Sequence, residues 1–350
     1  MSLRRTPLLV LATLAAAAMP ASASRSVQTT PALGVQFHCN WPSYTDASRS
    51  RVLGELDGGS LSWVRIDVSW ADLQPRPRKP ADEAYASRFD RCLTLARAHG
   101  FKVLATLGWS PRWANGGRGA GAPPLSARPY VHIVHWAALH WRGRVDAWEV
   151  WNEPNLWESW AGTAAQYARL LHFAYPAIKS GDPNALVVFG GVSGNDDRFI
   201  AQAYAAGARG SFDVMATHPY QGVGDAPPEH PDTGERWWIT HVDVVRKVME
   251  ANGDARKPIW FTESGWSAHA TAPGVPHWRR GVTEAQQAAY AVRFVRLVRD
   301  RYPYVTNVVW YTDRAWSSEH DARLRGFGLL RTDLTARPVF WALRHALATH

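Results

Sequence analysis

Trp148-Glu149-Val150-Trp151-Asn152-Glu153-Pro154-Asn155 decides the reading of this chain. An apolar, tryptophan-bearing run leads straight into a carboxylate and is stopped by proline, which cannot continue a strand ladder. Glu153 is therefore expected at the C-terminal end of a buried strand, where parallel α/β barrels carry their chemistry. A second glutamate in the same setting, Glu263 in Pro258-Ile259-Trp260-Phe261-Thr262-Glu263-Ser264-Gly265-Trp266, follows 110 residues later.

Working outward, short apolar runs recur along the chain. Leu33 to Phe37, Ser62 to Val68, Lys102 to Leu107, the opening stretch, Leu186 to Gly190, Phe212 to Thr217, the run ending at Glu263, and Val305 to Tyr311 read as eight strands. Between them lie segments of helical spacing, for example Tyr167, Leu170, Leu171, Ala174 and Ile178. Strands that do not alternate apolar with polar belong to a parallel sheet covered on both faces. With eight of them, a single (β/α)8 barrel over residues 24–350 is the simplest closure. The irregular loops after strands two, three, six and seven then share one rim.

Composition narrows the function classes. The chain has 350 residues, 46% hydrophobic and 20% charged, with a net charge of +9 and 19 tryptophans. Tryptophan fills cores, but its face also stacks on sugar rings. Arg4-Arg5, the apolar run from Leu8 to Ala18 and Ala21-Ser22-Ala23 fit a secretory signal peptide over residues 1–23, so a secreted protein is expected. That run is too short to span a bilayer, and no later one is long enough. Cleavage would remove two arginines and no acid, leaving +7, a balance suited to adhesion on anionic cell-wall polymers. No basic run with interleaved aromatics is present, which argues against a nucleic-acid partner. No Cys/His spacing matches a metal site. Cys39 and Cys92 could pair in an oxidising compartment, but one follows the first strand and the other sits inside a helix, a placement read as weighing against a bridge.

In such a barrel the ends of strands four and seven face each other across the mouth. Two carboxylates so placed can cleave a glycosidic bond with retention, one protonating the leaving oxygen and the other attacking the anomeric carbon. The chemistry needs no metal or organic cofactor. The bland alternative is that a glutamate at a loop start is solvated or caps a helix.

Glu149-Val150-Trp151-Asn152-Glu153-Pro154-Asn155-Leu156 resembles the strand-four signature of the clan A glycoside hydrolases, and is especially similar to family 39. Thr262-Glu263-Ser264-Gly265-Trp266 resembles the strand-seven end, closer to family 5 and to the polysaccharide-cleaving branch of family 39. The resemblance implies Glu153 as acid/base, Glu263 as nucleophile, and Asn152 as the residue that bonds the sugar 2-hydroxyl. It also implies that Arg65 holds the nucleophile ionised, that His218 and Tyr220 form the strand-six His-x-Tyr pair with the tyrosine touching the nucleophile, and that Trp310 floors the sugar site. Arg65 could instead form a buried ion pair with Glu149, and Trp310 could be core. Trp151 and Trp157 are expected to give Glu153 apolar surroundings. His38, Trp109, Trp113 and Trp266 are further candidate sugar contacts, and Asp313 a candidate third acid at the rim. A carbohydrate substrate, polymeric by the tryptophan-rich loops, is expected; a non-cleaving polysaccharide-binding barrel and a transglycosylase are the alternatives.

Overall fold

The computed structural model describes residues 30–57, 61–79, 81–316 and 318–346. Residues 1–23, expected to be a signal peptide, lie outside these. In chain order the elements are β1 (Ala32–Gln36), α1 (Asp46–Leu56), β2 (Leu61–Ser69), α2 (Trp70–Leu73), α3 (Glu83–Ala98), β3 (Lys102–Gly108), α4 (Ala127–His140), β4 (Ala147–Val150) and α5 (Ala164–Gly181). There follow β5 (Leu186–Phe189), β6 (Val192–Ser193), α6 (Asp197–Ala205), β7 (Met215–His218), α7 (Val242–Ala251), β8 (Ile259–Ser264), α8 (Glu284–Arg301), β9 (Val305–Trp310), α9 (Ala322–Gly326) and α10 (Pro338–Ala346).

All named strand pairs are parallel, in the order β5-β4-β3-β2-β1-β9-β8-β7-β6. A Val188–Val214 bridge brings the two ends together, with Phe189 N–H donating to Val214 O at 2.9 Å. The expected (β/α)8 barrel is thus formed, with β6 a two-residue addition that the sequence reading lacked. The strand expected to be seventh is β8. Helix starts follow local chemistry: Thr163 with Gln166 and Thr283 with Gln286 form capping boxes at α5 and α8, each cap contributing about 1 kcal/mol.

Strand periodicity sorts the interior into two tiers. Trp63, Leu104, Ala147, Val188, Val214, Ala216 and Trp260 form a closed apolar cluster. Two residues further along their strands stand Arg65, Thr106, Glu149, His218 and Thr262, all buried and polar. The intervening Val64, Ile66, Val103, Ala105, Trp148 and Val150 join the large cluster that packs the ring against the helices.

Cys39 and Cys92 are bonded, with Cα atoms 5.9 Å apart. The placement read as unfavourable was assigned correctly, one cysteine past β1 and one within α3; linear order did not show that α3 packs beside the exit of β1. Among the described residues no helix is long and apolar enough to cross a membrane.

Candidate active site

β4 ends at Val150, and the chain then turns sharply. Trp151 and Glu153 take φ of 76° and 44°, left-handed values that cost non-glycine residues about 1–2 kcal/mol each. The surroundings hold them there. Trp151 is buried and donates through Nε1 to Ser159 O at 2.7 Å, while the Glu153 N–H donates to Gly191 O at 3.0 Å. The turn swings the Glu153 side chain over the mouth.

Beneath it Arg65 organises the polar tier. Its Nε donates to Glu149 at 2.8 Å; one terminal nitrogen reaches Gln36 at 2.7 Å and Glu263 at 2.9 Å; the other reaches Asn152 Oδ1 at 2.7 Å. Glu149 is fully buried and also accepts from Thr106 and Thr262 hydroxyls and the Gly191 N–H. The buried ion pair with Glu149 is therefore formed, and the same guanidinium also binds Glu263. With Asn152 Oδ1 held by Arg65, its amide nitrogen is left to face the cavity. Tyr220 donates to the second oxygen of Glu263 at 3.0 Å, and burial first, then the Glu263 charge, pushes its phenol well above the ordinary range.

The same hydrogen bonds fix a proton. Glu149, paired with Arg65, only accepts, so the Thr262 hydroxyl must donate to it at 2.7 Å. The Thr262 oxygen can then only accept from His218 Nε2, 3.1 Å away. His218 Nδ1 is consequently the nitrogen that shares a proton with Glu153 Oε1, at 3.0 Å. Burial raises the Glu153 carboxyl, but the His218 contact outweighs it and leaves the group below its ordinary value. Burial lowers His218, but Glu263 and Glu153 together hold it above. The apolar setting expected for Glu153 is not what it has: Trp157 is 73% exposed, and His218 is the governing neighbour.

Oxygens of Glu153 and Glu263 and a His218 nitrogen all lie within 4.8 Å of one another. A cavity of about 700 Å³ opens above them, bordered among others by Asn152, Tyr220, Trp41, Trp237, Trp278 and Tyr311. The trio has metal-ligand spacing, but Arg65 and Tyr220 already occupy the Glu263 oxygens, and a guanidinium at 2.9 Å opposes a dication.

Other expected contacts lie elsewhere. Trp310 is 2% exposed, bonds Phe327 O and packs beside Trp266; strand parity points it outward, and Tyr311, one residue on, borders the cavity instead. Asp313 is fully buried, bonded to Tyr44 and Thr312, and is no rim acid. Trp266 is buried and bonds Ala226 O, and Trp113 bonds Gln74 O. Neither they nor Trp109 border the cavity, whereas His38 does. Trp41, Asp67, Trp237, Trp278 and Arg323 were missed; Asp67 lies near the end of β2, Arg323 in α9 and the three tryptophans outside the named elements, and only the tryptophan excess hinted at the indoles.

A parallel barrel with two glutamates facing each other from the ends of β4 and β8 has the architecture of the sugar-cleaving barrel hydrolases. The chain belongs to glycosyl hydrolase family 5: residues 27–313 match the cellulase model of that family. Among solved structures it is similar to a family 39 glycoside hydrolase from the gut symbiont Bacteroides cellulosilyticus WH2 (22% identity, TM-score 0.73, 92% of this chain and 65% of that one). It is also similar to a GH39 enzyme from Xanthomonas axonopodis pv. citri (18%, 0.70, 92% and 67%) and to GH5_18 from Streptomyces cattleya in complex with GlcNAc (20%, 0.68, 91% and 80%). The chain thus spans about two thirds of the length of the first two. Among curated proteins nothing matches.

Proposed function

We propose that this protein is a secreted retaining glycoside hydrolase acting on an oligo- or polysaccharide. The observation that carries the reading is the approach of Glu153 and Glu263 oxygens to within 4.8 Å, the close spacing of a double displacement and short of the ~6.5–9.5 Å that inversion leaves for water. Glu263, steadied by Arg65 and Tyr220, attacks the anomeric carbon. Glu153 delivers to the leaving oxygen the proton it shares with His218, and then takes one from water as that water attacks the glycosyl-enzyme. Asn152 meets the sugar 2-hydroxyl. The N-terminal Arg4-Arg5 and apolar run support export, and the net positive charge supports adhesion to anionic wall polymers. Exposed Trp41 and Trp278 on the cavity border support a polymeric substrate.

A screen over plant, fungal and bacterial polysaccharides with product sizing finds the substrate. On it, Glu263→Ala should abolish turnover, and azide should restore part of it with an inverted glycosyl azide. Glu153→Gln should spare aryl glycosides with very good leaving groups. Full activity in Glu263→Ala, or equal losses on all leaving groups in Glu153→Gln, sinks the assignment.

A further inference from the structure

Arg323, on α9, is the one lysine or arginine among the described residues that border the catalytic cavity. The acids on that border have partners of their own. Glu263 is held by Arg65 and Tyr220, Glu153 by His218, and Asp67 by Gln36 at 3.0 Å with Arg65 3.7 Å away. The carboxylates nearest in the chain are committed as well. Asp321 takes Arg279 Nη2 on one oxygen at 2.7 Å and the Arg323 N–H on the other at 2.8 Å, and Glu319 accepts from the Asp321 N–H. The half-buried Arg323 side chain is left with no hydrogen bond or ion pair among the described residues, yet none of its nitrogens is shut off from solvent. Its contacts are the rings of Trp278 and Phe327, with Cζ 5.1 and 5.5 Å from their centroids. Rings answer the charge in part but take none of the five N–H donors in a directed bond. Burial, the largest influence, pulls the guanidinium below its ordinary pKa, so this cation stands where a counter-charge would stabilise it.

We infer that Arg323 binds an oxyanion carried by the substrate, a uronate carboxylate or a sulfate half-ester, so that the substrate is an acidic polysaccharide. The planar fork offers two parallel N–H donors to two oxygens of such a group, whereas a neutral sugar leaves the charge unanswered. The position agrees. Phe327, in contact with the guanidinium, packs edge-on against Tyr220 and Tyr311 with ring centroids 5.8 and 5.7 Å apart, and Tyr220 bonds Glu263. The anionic group therefore belongs to a sugar unit close to the cleaved bond. It is held at the cavity wall, away from the floor where Asp67, Glu153 and Glu263 would repel it. Ser267 steadies the wall, its hydroxyl donating to the Arg323 carbonyl at 2.6 Å. The net charge of +9 favours the approach of such a chain.

The inference rests on the glycosidase reading, and its test separates the two. In the first arm, calorimetry gives the affinities of Glu263→Ala and Glu263→Ala/Arg323→Met for β-1,4-linked gluco-, manno- and galacto-hexasaccharides and for their acidic counterparts, the glucuronate, mannuronate and O-sulfated galactan chains. In Glu263→Ala an acidic chain should bind at least about tenfold tighter than its neutral counterpart, and Arg323→Met should cut that ratio about tenfold. Added salt should cut it too. Arg323→Lys, which keeps the charge but not the fork, should retain part of the preference. Tighter binding of the uronates or of the sulfated chain tells carboxylate from sulfate. In the second arm, wild-type turnover of the same chains is followed. An acidic preference that depends on Arg323, without turnover of any chain, would sustain the oxyanion site and sink the hydrolase. Turnover of neutral chains, with acidic ones bound equally or more weakly, would overturn the oxyanion site and spare the hydrolase. A loss in Arg323→Met that is the same for neutral and acidic chains, or failure of every acidic chain to bind, would also overturn it.

Discussion

Replacing Arg65 by methionine tests the polar tier most directly. The substitution removes four hydrogen bonds of 2.7–2.9 Å, to Glu149, Gln36, Glu263 and Asn152. Its main cost is the carboxylate left behind, since Glu149 is fully buried. Breaking one side of a buried ion pair typically costs about 3–5 kcal/mol. Glu149 keeps three uncharged donors, from Thr106, Thr262 and Gly191, which places the expected loss near the lower end, about 3 kcal/mol. Against a typical total of about 5–15 kcal/mol the protein should stay folded but unfold at clearly lower urea. The cost should shrink when the stranded charge is removed as well. Arg65→Met/Glu149→Gln should be more stable than the sum of the two single losses by about 1–3 kcal/mol. Urea titration followed by tryptophan emission reads all four proteins. A loss under about 0.5 kcal/mol for Arg65→Met, or strict additivity in the double variant, would refute the reasoning.

Three further outcomes follow from the same geometry. Glu153 lies below its ordinary 4.5 and His218 above its ordinary 6.5; stability from the first is complete above its unfolded value and lost as pH falls through the lower folded one, and stability from the second is complete below its unfolded value and lost as pH rises through the higher folded one. The pair should therefore stabilise most between those two ordinary values, and His218→Gln should flatten that part of a Tm profile recorded from about pH 3 to 9; an unchanged profile would contradict the contact. Tyr220→Phe removes one donor from Glu263 and should lower kcat by about tenfold or more on the identified substrate with little change in Tm; unchanged kcat would deny the contact a role. Reduction of Cys39–Cys92, which closes a separation of 53 residues, should cost about 4 kcal/mol by chain entropy, read as a drop in urea midpoint with dithiothreitol and its absence in Cys39→Ser/Cys92→Ser.

The barrel was legible because its evidence is periodic. Eight apolar runs with helices between them leave few ways to bury both sheet faces, and only the two-residue β6 escaped. Glu263 stood out because glycine follows the end of β8, and Glu153 because Pro154 breaks the run just after it, although β4 itself stops at Val150. Trp310 was read one residue early: both it and Tyr311 are aromatic, and only the register of β9 in the ring decides which turns inward. Asp313 looked like a rim acid because linear sequence does not show Tyr44 closing over it from the β1–α1 loop. The proton path through Thr262 and His218 was hidden for another reason. It depends on distances among three strands, and a threonine beside a glutamate looks like any strand residue.

The tiered interior also shapes the field the protein casts. Below Arg65 and Glu149 lies the largely apolar packing around Trp63 and Trp260, a medium that polarises weakly. Field lines from these groups are therefore funnelled toward the open end, where water and ligand stand. The tryptophan floor of the barrel, which does not border the cavity, acts as insulation that aims the electrostatics of the mouth.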